Sequence, residues 1–331
     1  MSSATPAVPD QVATSVPATT TTSSGEPPSA AGLCDAAPPG TTEIAISSPW
    51  EVGMVRELEL QIGKRNSTRP SLEGLSSTPV TLTVIGEDAG GWVLRWEAGT
   101  TSLEALGLPQ SLAAEAAEGL EDLPRLVIDY RVDEFGFYAG VVDPAALRTY
   151  VNDVFDWMAV TLPDPGFDTG EVQDFFAGLP DEGFEQMFTQ DLQVFHGFGE
   201  IAIFVDEVLE FDDLLPNAFG GAAFPAVTTL AVIDLVDDSG CAAIQIRTTP
   251  DPDQFVRILG ETLRETLPDV YGDMSDEEML AEAGDLEIEN VVVVQVDAGS
   301  GSVRRVTATQ AFESATEGRT DTKIVTDITD G

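Results

Sequence analysis

The chain is short of positive charge. It carries two lysines, Lys64 and Lys323, and one histidine, His196. Lys and Arg together number 15 against 58 Asp and Glu, a formal net charge of −43 over 331 residues. Such a surface repels phosphate backbones and anionic headgroups, and no basic stripe offsets it. This argues against direct nucleic-acid binding and against electrostatic docking on a membrane. Long apolar runs are missing too: none reaches the roughly 18 residues of a helical membrane span. Acidity itself first means solvation and colloidal stability.

Cysteine is equally scarce, with only Cys34 and Cys241. No CxxC and no Cys/His cluster exists, so neither a cysteine-based metal site nor an iron–sulfur site is expected. An even pair beside an extracytoplasmic composition suggests one disulfide, Cys34 to Cys241, against the alternative of two unrelated thiols. With one histidine, a Ser-His-Asp triad would have to be built on His196. It lies in Val194-Phe195-His196-Gly197-Phe198, between aromatics and beside a turn, and reads as a core histidine at a helix end. No GxSxG elbow is present. The most glycine-rich loop, Pro216 to Gly221, lacks the Lys-Ser/Thr that a phosphate loop needs. Acidic groups such as Asp206-Glu207, Asp212-Asp213 and Asp276-Glu277-Glu278 are expected by chance among so many carboxylates. No catalytic residue, metal ligand or cofactor site is therefore nominated. Asn66-Ser67-Thr68 matches the glycosylation sequon, a pattern that often arises by chance.

What is present is a pattern of hairpins behind a low-complexity start. Residues 1–40 are mostly Ser, Thr, Pro and Ala, with little to bury, and read as a disordered stalk. No signal peptide opens the chain, so Met1 reads as a start placed ahead of a trimmed mature sequence. Beyond the stalk, Val80, Leu82 and Val84 alternate with threonines, and Trp92, Leu94 and Trp96 with Val93 and Arg95. This period of two predicts a half-buried hairpin. Turn chemistry recurs at Val132-Asp133-Glu134-Phe135-Gly136, at Val236 to Gly240 and at Val296-Asp297-Ala298-Gly299, with Gly301 as an extra bulge residue. Two of these hairpins are followed by Asp-Pro and an apolar stripe at helical spacing. Asp143-Pro144 precedes Leu147, Val151 and Val154; Asp251-Pro252 precedes Phe255, Leu259 and Leu263. The remaining pieces read as a strand over Met54–Ile62, a short Ala-rich helix within Leu103–Leu123, one or two helices in 169–197, a strand from Ile201 to Phe211 and a last strand over Thr322–Ile328.

The expected fold is α+β: a curved antiparallel sheet of hairpins packed on amphipathic helices, in two weakly repeated halves. The halves would be 41–197 and 198–331, or one continuous domain. The stalk, the Val-Asp-x-x-Gly hairpins and the amphipathic helices resemble actinobacterial secreted lipoproteins. Their shape is similar to lipoprotein-carrier folds, in which a curved sheet wraps around helices. That resemblance implies an apolar ligand held between sheet and helices. The lipoprotein pattern is not fully met, because Leu33 stands where a lipobox needs a small residue before its cysteine. Cys34 then pairs better with Cys241, and anchoring would rest only on an N-terminal lipid elsewhere. Localisation outside the cytoplasm, secreted or at the cell surface, follows. Three functions stand: an envelope binding or carrier lipoprotein for an apolar ligand, an interaction or scaffold module with an envelope protein as partner, and a hydrolase whose site is not visible in the sequence. A closed apolar cavity of at least about 300 Å³ would mark the first, and a flat exposed apolar patch the second.

Overall fold

A computed structural model describes Cys34 and residues 37–329, apart from 39, 48, 69–72, 89, 106–121, 162–168, 216, 218–221, 237–239, 267–271, 273, 276–277, 279–286 and 314–317. The stalk, the Ala-rich segment and the tip of the Val236–Gly240 turn therefore lie outside the described residues, except at their ends.

Fourteen strands and five helices are described. The strands are β1 (Glu43–Ala45), β2 (Val55–Asn66), β3 (Gly74–Asp88), β4 (Gly91–Ala98), β5 (Ser102–Ala105), β6 (Val127–Asp133), β7 (Tyr138–Val141), β8 (Ala202–Phe204), β9 (Val208–Leu215), β10 (Phe224–Asp234), β11 (Ala242–Pro250), β12 (Glu287–Val296), β13 (Val303–Glu313) and β14 (Gly318–Asp327). The helices are α1 (Pro144–Thr161), α2 (Thr169–Gly178), α3 (Asp181–Phe188), α4 (Gln190–Phe195) and α5 (Pro252–Thr266).

Twelve strands form one open, curved antiparallel sheet in the order β7-β6-β4-β3-β2-β14-β13-β12-β11-β10-β9, with β5 paired to β3. The chain starts at mid-sheet in β2, walks outward to β7, and returns from the far edge at β9. The last strand then pairs with the first long one: Leu60 stands opposite Val325 and Leu58 opposite Asp327. β1 and β8 form a separate two-stranded sheet.

Alternation builds the core. Leu58 and Leu60, Val80, Leu82 and Val84, Leu94 and Trp96, and Ile128, Tyr130 and Val132 are all buried on one face. Opposite residues share a face, so the ladders carry this layer across the sheet, Leu82 facing Trp96 and Trp96 facing Ile128. The other wing continues it through Ile244, Val294, Val306 and Val325. Each fully buried Leu or Val contributes roughly 1.5–3 kcal/mol of transfer free energy.

The turns follow their side-chain chemistry. Asp133 Oδ1 accepts from the amides of Phe135 and Phe137, and the Gly136 amide donates to the Asp133 carbonyl. At the β12–β13 hairpin, Asp297 accepts from Gly299 and Ser300, and the turn runs on to Gly301, whose amide donates to the Asp297 carbonyl. Both Asp-Pro segments begin helices. Asp143 Oδ1 accepts from Ala145 N at 3.0 Å and Ala146 N at 3.1 Å, and Leu147 and Val151 are buried in the main core. Asp251 Oδ1 accepts from Gln254 N and Asp251 Oδ2 from Gln254 Nε2, two donations that hold the carboxyl below its ordinary pKa. Phe255 meets Phe224 of β10 at 4.5 Å between ring centres. Asp143→Ala removes both N-terminal amide partners of α1, and urea unfolding should show a loss of about 1 kcal/mol. An unchanged midpoint would mean that solvent replaces the cap.

Several boundaries differ from the expectation. β2 runs on to Asn66, and β3 extends through Glu87 and Asp88, so the first hairpin turn is tighter than its glycines suggest. Ser102–Ala105 is a strand against β3, and the Ala-rich run after it lies outside the described residues. Residues 169–195 form three short helices, because Pro180 and Thr189 each interrupt the run. Ile201–Phe211 is two strands split at Val205–Glu207.

Candidate functional site

His196 follows α4 and is 2% exposed. Its Nδ1 lies 3.3 Å from the Gly136 carbonyl and its Nε2 lies 2.6 Å from the Tyr130 hydroxyl. A carbonyl only accepts, so Nδ1 carries the proton and Nε2 accepts from Tyr130. Burial pushes the imidazole pKa down to about 3; the Gly136 bond opposes this, and the Arg56 charge adds to it. Burial likewise pushes the Tyr130 phenol well up. The Trp50 ring stands 5.5 Å from the imidazole, and the Arg56 guanidinium lies 4.6 Å over that indole while pairing with Asp327 at 3.6 Å. The imidazole meets no serine or cysteine nucleophile among its described partners. Its geometry ties the β6–β7 turn to α4 and the sheet, as a core histidine does.

Of the acidic pairs, Asp206 and Glu207 are both exposed. Asp213 accepts from Thr228 Oγ1 and from Leu214 N, whereas Asp212 is exposed. Asp276 and Glu277 lie outside the described residues. Among those described, no group of three or more His, Cys, Asp or Glu residues could hold a metal ion. Asn66 of the sequon is 9% exposed, and its Oδ1 accepts from Thr68 N and Thr68 Oγ1, so it is a turn residue. Cys34 and Cys241 form the disulfide, and among the described residues no helix is long and apolar enough to cross a membrane.

Among the described residues, a space large enough for a ligand lies among the helices. A groove of about 490 Å³ is lined by Arg148 and Asn152 of α1, Phe176 and Ala177 of α2, Leu179 and Pro180 of the link, and Asp181 and Phe184 of α3. Its floor is aromatic. Phe176 stacks on Phe155 at 5.5 Å and meets Phe188 edge-on at 5.0 Å, and Phe184 meets Phe188 at 4.7 Å. One arginine organises its rim. Arg148 Nε and Nη2 donate to Asp181 Oδ1, while Nη1 and Nη2 donate to the carbonyls of Phe176 and Leu179 at the end of α2. A cation at these carbonyls complements the helix dipole. The guanidinium also lies 4.1 Å over the Phe184 ring. Its charge is thus balanced within the wall, leaving a groove with an apolar floor, a neutral ion pair and the exposed Asn152.

This helical stretch also supplies Phe175, Phe176, Phe184, Met187, Phe188, Leu192 and Phe195. Phe184, Leu192 and Phe195 are buried, and the others pack half-buried against the core. The groove is open and lies between helices, whereas the expected cavity was closed and lay between sheet and helices. The apolar positions were legible; the gap between them depends on how α2 and α3 turn at Pro180.

The class of protein defined here is a mainly antiparallel, open-sheet α+β protein with few helices. No family model matches the chain, and no curated protein matches it. Eight chains of solved structures match, among them lipovitellin, described as "Lipid-protein interactions in lipovitellin". That likeness has 8% identity and a TM-score of 0.39, and covers 85% of this chain but 26% of lipovitellin, so this chain spans about a quarter of its length.

Proposed function

We propose that this is an extracytoplasmic binding or carrier protein of the cell envelope that holds one apolar, chain-like ligand in the groove between α1, α2 and α3. The carrying observation is the groove itself: about 490 Å³ with Phe176, Phe184 and Leu179 beneath a polar rim. This volume and this mixture of apolar floor and few polar groups suit a small amphipathic molecule. Because Asp181 already neutralises Arg148, the ligand's polar end needs no full charge and meets Asn152. The disulfide supports an oxidising compartment.

Titration with the uncharged, fluorescent methyl ester of cis-parinaric acid tests this reading. Uptake should saturate at one equivalent. Ala177→Trp fills the groove from its exposed wall and should abolish uptake while leaving the circular dichroism unchanged. Non-saturable uptake by the wild type, or equal uptake by the variant, would remove the groove from consideration.

A further inference from the structure

The two edges of the large sheet are treated differently. β7 is short, and the carboxylate of Glu185 covers it: Oε1 accepts from the Val141 amide at 3.0 Å and the Tyr138 hydroxyl at 2.7 Å. β9 is longer, and among the described residues no strand lies on its far side. The direction of its backbone groups follows from the neighbouring strands. Asp251 N donates to the Pro225 carbonyl, so Pro225 points toward β11. Backbone groups alternate sides along an antiparallel strand, so Phe224, Ala226, Thr228 and Leu230 point toward β9. Their partners are Leu215, Asp213, Phe211 and Leu209. Val208, Glu210, Asp212 and Leu214 therefore aim their backbone groups off the edge. The Leu214 amide is taken by Asp213 Oδ1, while those of Val208, Glu210 and Asp212 have no described partner.

The side chains of this edge are exposed on both faces. Val208 is 68% exposed, Leu214 65% and Phe211 49%. Leu209 and Phe211 stand on the inner face, opposite Leu230 and Thr228, whereas Glu210 and Asp212 share the outer face with Val208 and Leu214. A second copy of this chain suits the edge poorly. Antiparallel self-pairing centred on Phe211 would set Glu210 against Asp212, and like charges directly opposite are destabilising. A net charge of −43 on each copy opposes it further. The chain's own N-terminal segment also fails to match, having no Lys or Arg before Arg56 and many prolines.

We propose that the free edge of β9 accepts an extended segment of a partner protein whose side chains alternate basic and apolar, adding one strand to the sheet. The segment's backbone pairs with Val208, Glu210 and Asp212. Its basic side chains meet Glu210 and Asp212 on the outer face, and its apolar ones cover Leu209 and Phe211 on the inner face. Main-chain bonds supply affinity and the alternation supplies selection.

The test uses the full chain and a labelled peptide alternating lysine with valine over the length of β9, followed by fluorescence anisotropy. Saturable binding is expected. Glu210→Lys with Asp212→Lys should weaken it by roughly tenfold or more, since two attractive cross-strand pairs become repulsive. Asp212→Pro and Asp212→Asn separate backbone from charge. The Asp212 amide points off the edge, so proline there spares the ladder to β10. Binding should fall further for Asp212→Pro than for Asp212→Asn, with both variants melting like the wild type. Peptide N-methylated at alternate amides should not bind. Equal binding by both Asp212 variants, or binding by the N-methylated peptide, would reduce the effect to surface electrostatics and overturn the proposal. A wild-type dimer in sedimentation that Asp212→Pro dissolves would overturn it in favour of self-pairing.

Discussion

Opening the Cys34–Cys241 disulfide is expected to destabilise the domain by about 5 kcal/mol. The half-cystines are 207 residues apart in sequence. In the chain-entropy model a cross-link acts mainly by restricting the unfolded chain, and the restriction grows with loop length. This loop spans most of the molecule, from ahead of β1 to the start of β11, so few cross-links in the chain could confine the unfolded state more. The folded side is prepared for the bond. Cys241 is fully buried, and Gly240 before it has φ +85, a conformation that glycine adopts freely. A Cβ on Gly240 would stand 2.8 Å from the Cys34 carbonyl oxygen, so the two segments pass too closely for a side chain. Typical domains have only about 5–15 kcal/mol of net stability, so the loss should be plain in urea unfolding of Cys34→Ser beside the wild type. Coincident midpoints for the two, with and without reductant, would mean that the loop carries no such restriction.

The sheet was legible where the alternation was strict. Val80-Thr81-Leu82-Thr83-Val84 and Trp92-Val93-Leu94-Arg95-Trp96 assign their own faces: the structure buries Val80, Leu82, Val84, Leu94 and Trp96, and Trp92 packs half-buried against the same core. Asp133, Asp143, Asp251 and Asp297 were legible as turn and cap residues because an Asp carboxylate acts within a few residues along the chain, and local chemistry survives any fold. Boundaries were lost where long-range pairing overrode local signals. Ser102–Ala105 follows a glycine-threonine stretch and precedes an Ala-rich run, yet it is a strand because β3 continues far enough to pair with it. The meeting of β14 with β2 has no local signature at all; it depends on the path of the whole chain. The groove and the β9 edge were illegible for the same reason. Arg148 reaches Asp181 across two helices, and the exposure of Phe211 reflects the lack, among the described residues, of a strand beyond β9 rather than its own sequence.

Acidification below pH 6.5 is expected to destabilise the fold through His196, by about 1.4 kcal/mol per pH unit down toward pH 3. The sign follows from where the proton binds. In the unfolded chain the imidazole titrates near its ordinary 6.5, whereas in the folded protein burial lowers it to about 3. Between these values the unfolded state takes up a proton that the native state refuses. The stabilisation is therefore complete above pH 6.5, falls as pH drops, and is spent near pH 3, for a total of about 4–5 kcal/mol. Protonation in place has no outlet. Nε2 faces the Tyr130 hydroxyl, which would have to turn its proton away, and the nearest cation, Arg56, repels the new charge. Carboxylates also titrate in this range, so the contribution must be isolated. His196→Gln retains one donor for Gly136 and one acceptor for Tyr130 without a titrating ring. Urea unfolding at successive pH values should show a shallower fall for this variant than for the wild type between pH 6.5 and 4. The chain has a single histidine, so its imidazole carbon resonance is unique and should stay neutral to below pH 4 in the folded protein. A resonance that titrates near 6.5, or equal pH slopes for the two proteins, would show that the imidazole is reached by solvent and that the buried network with Tyr130 and Gly136 is not what fixes its charge.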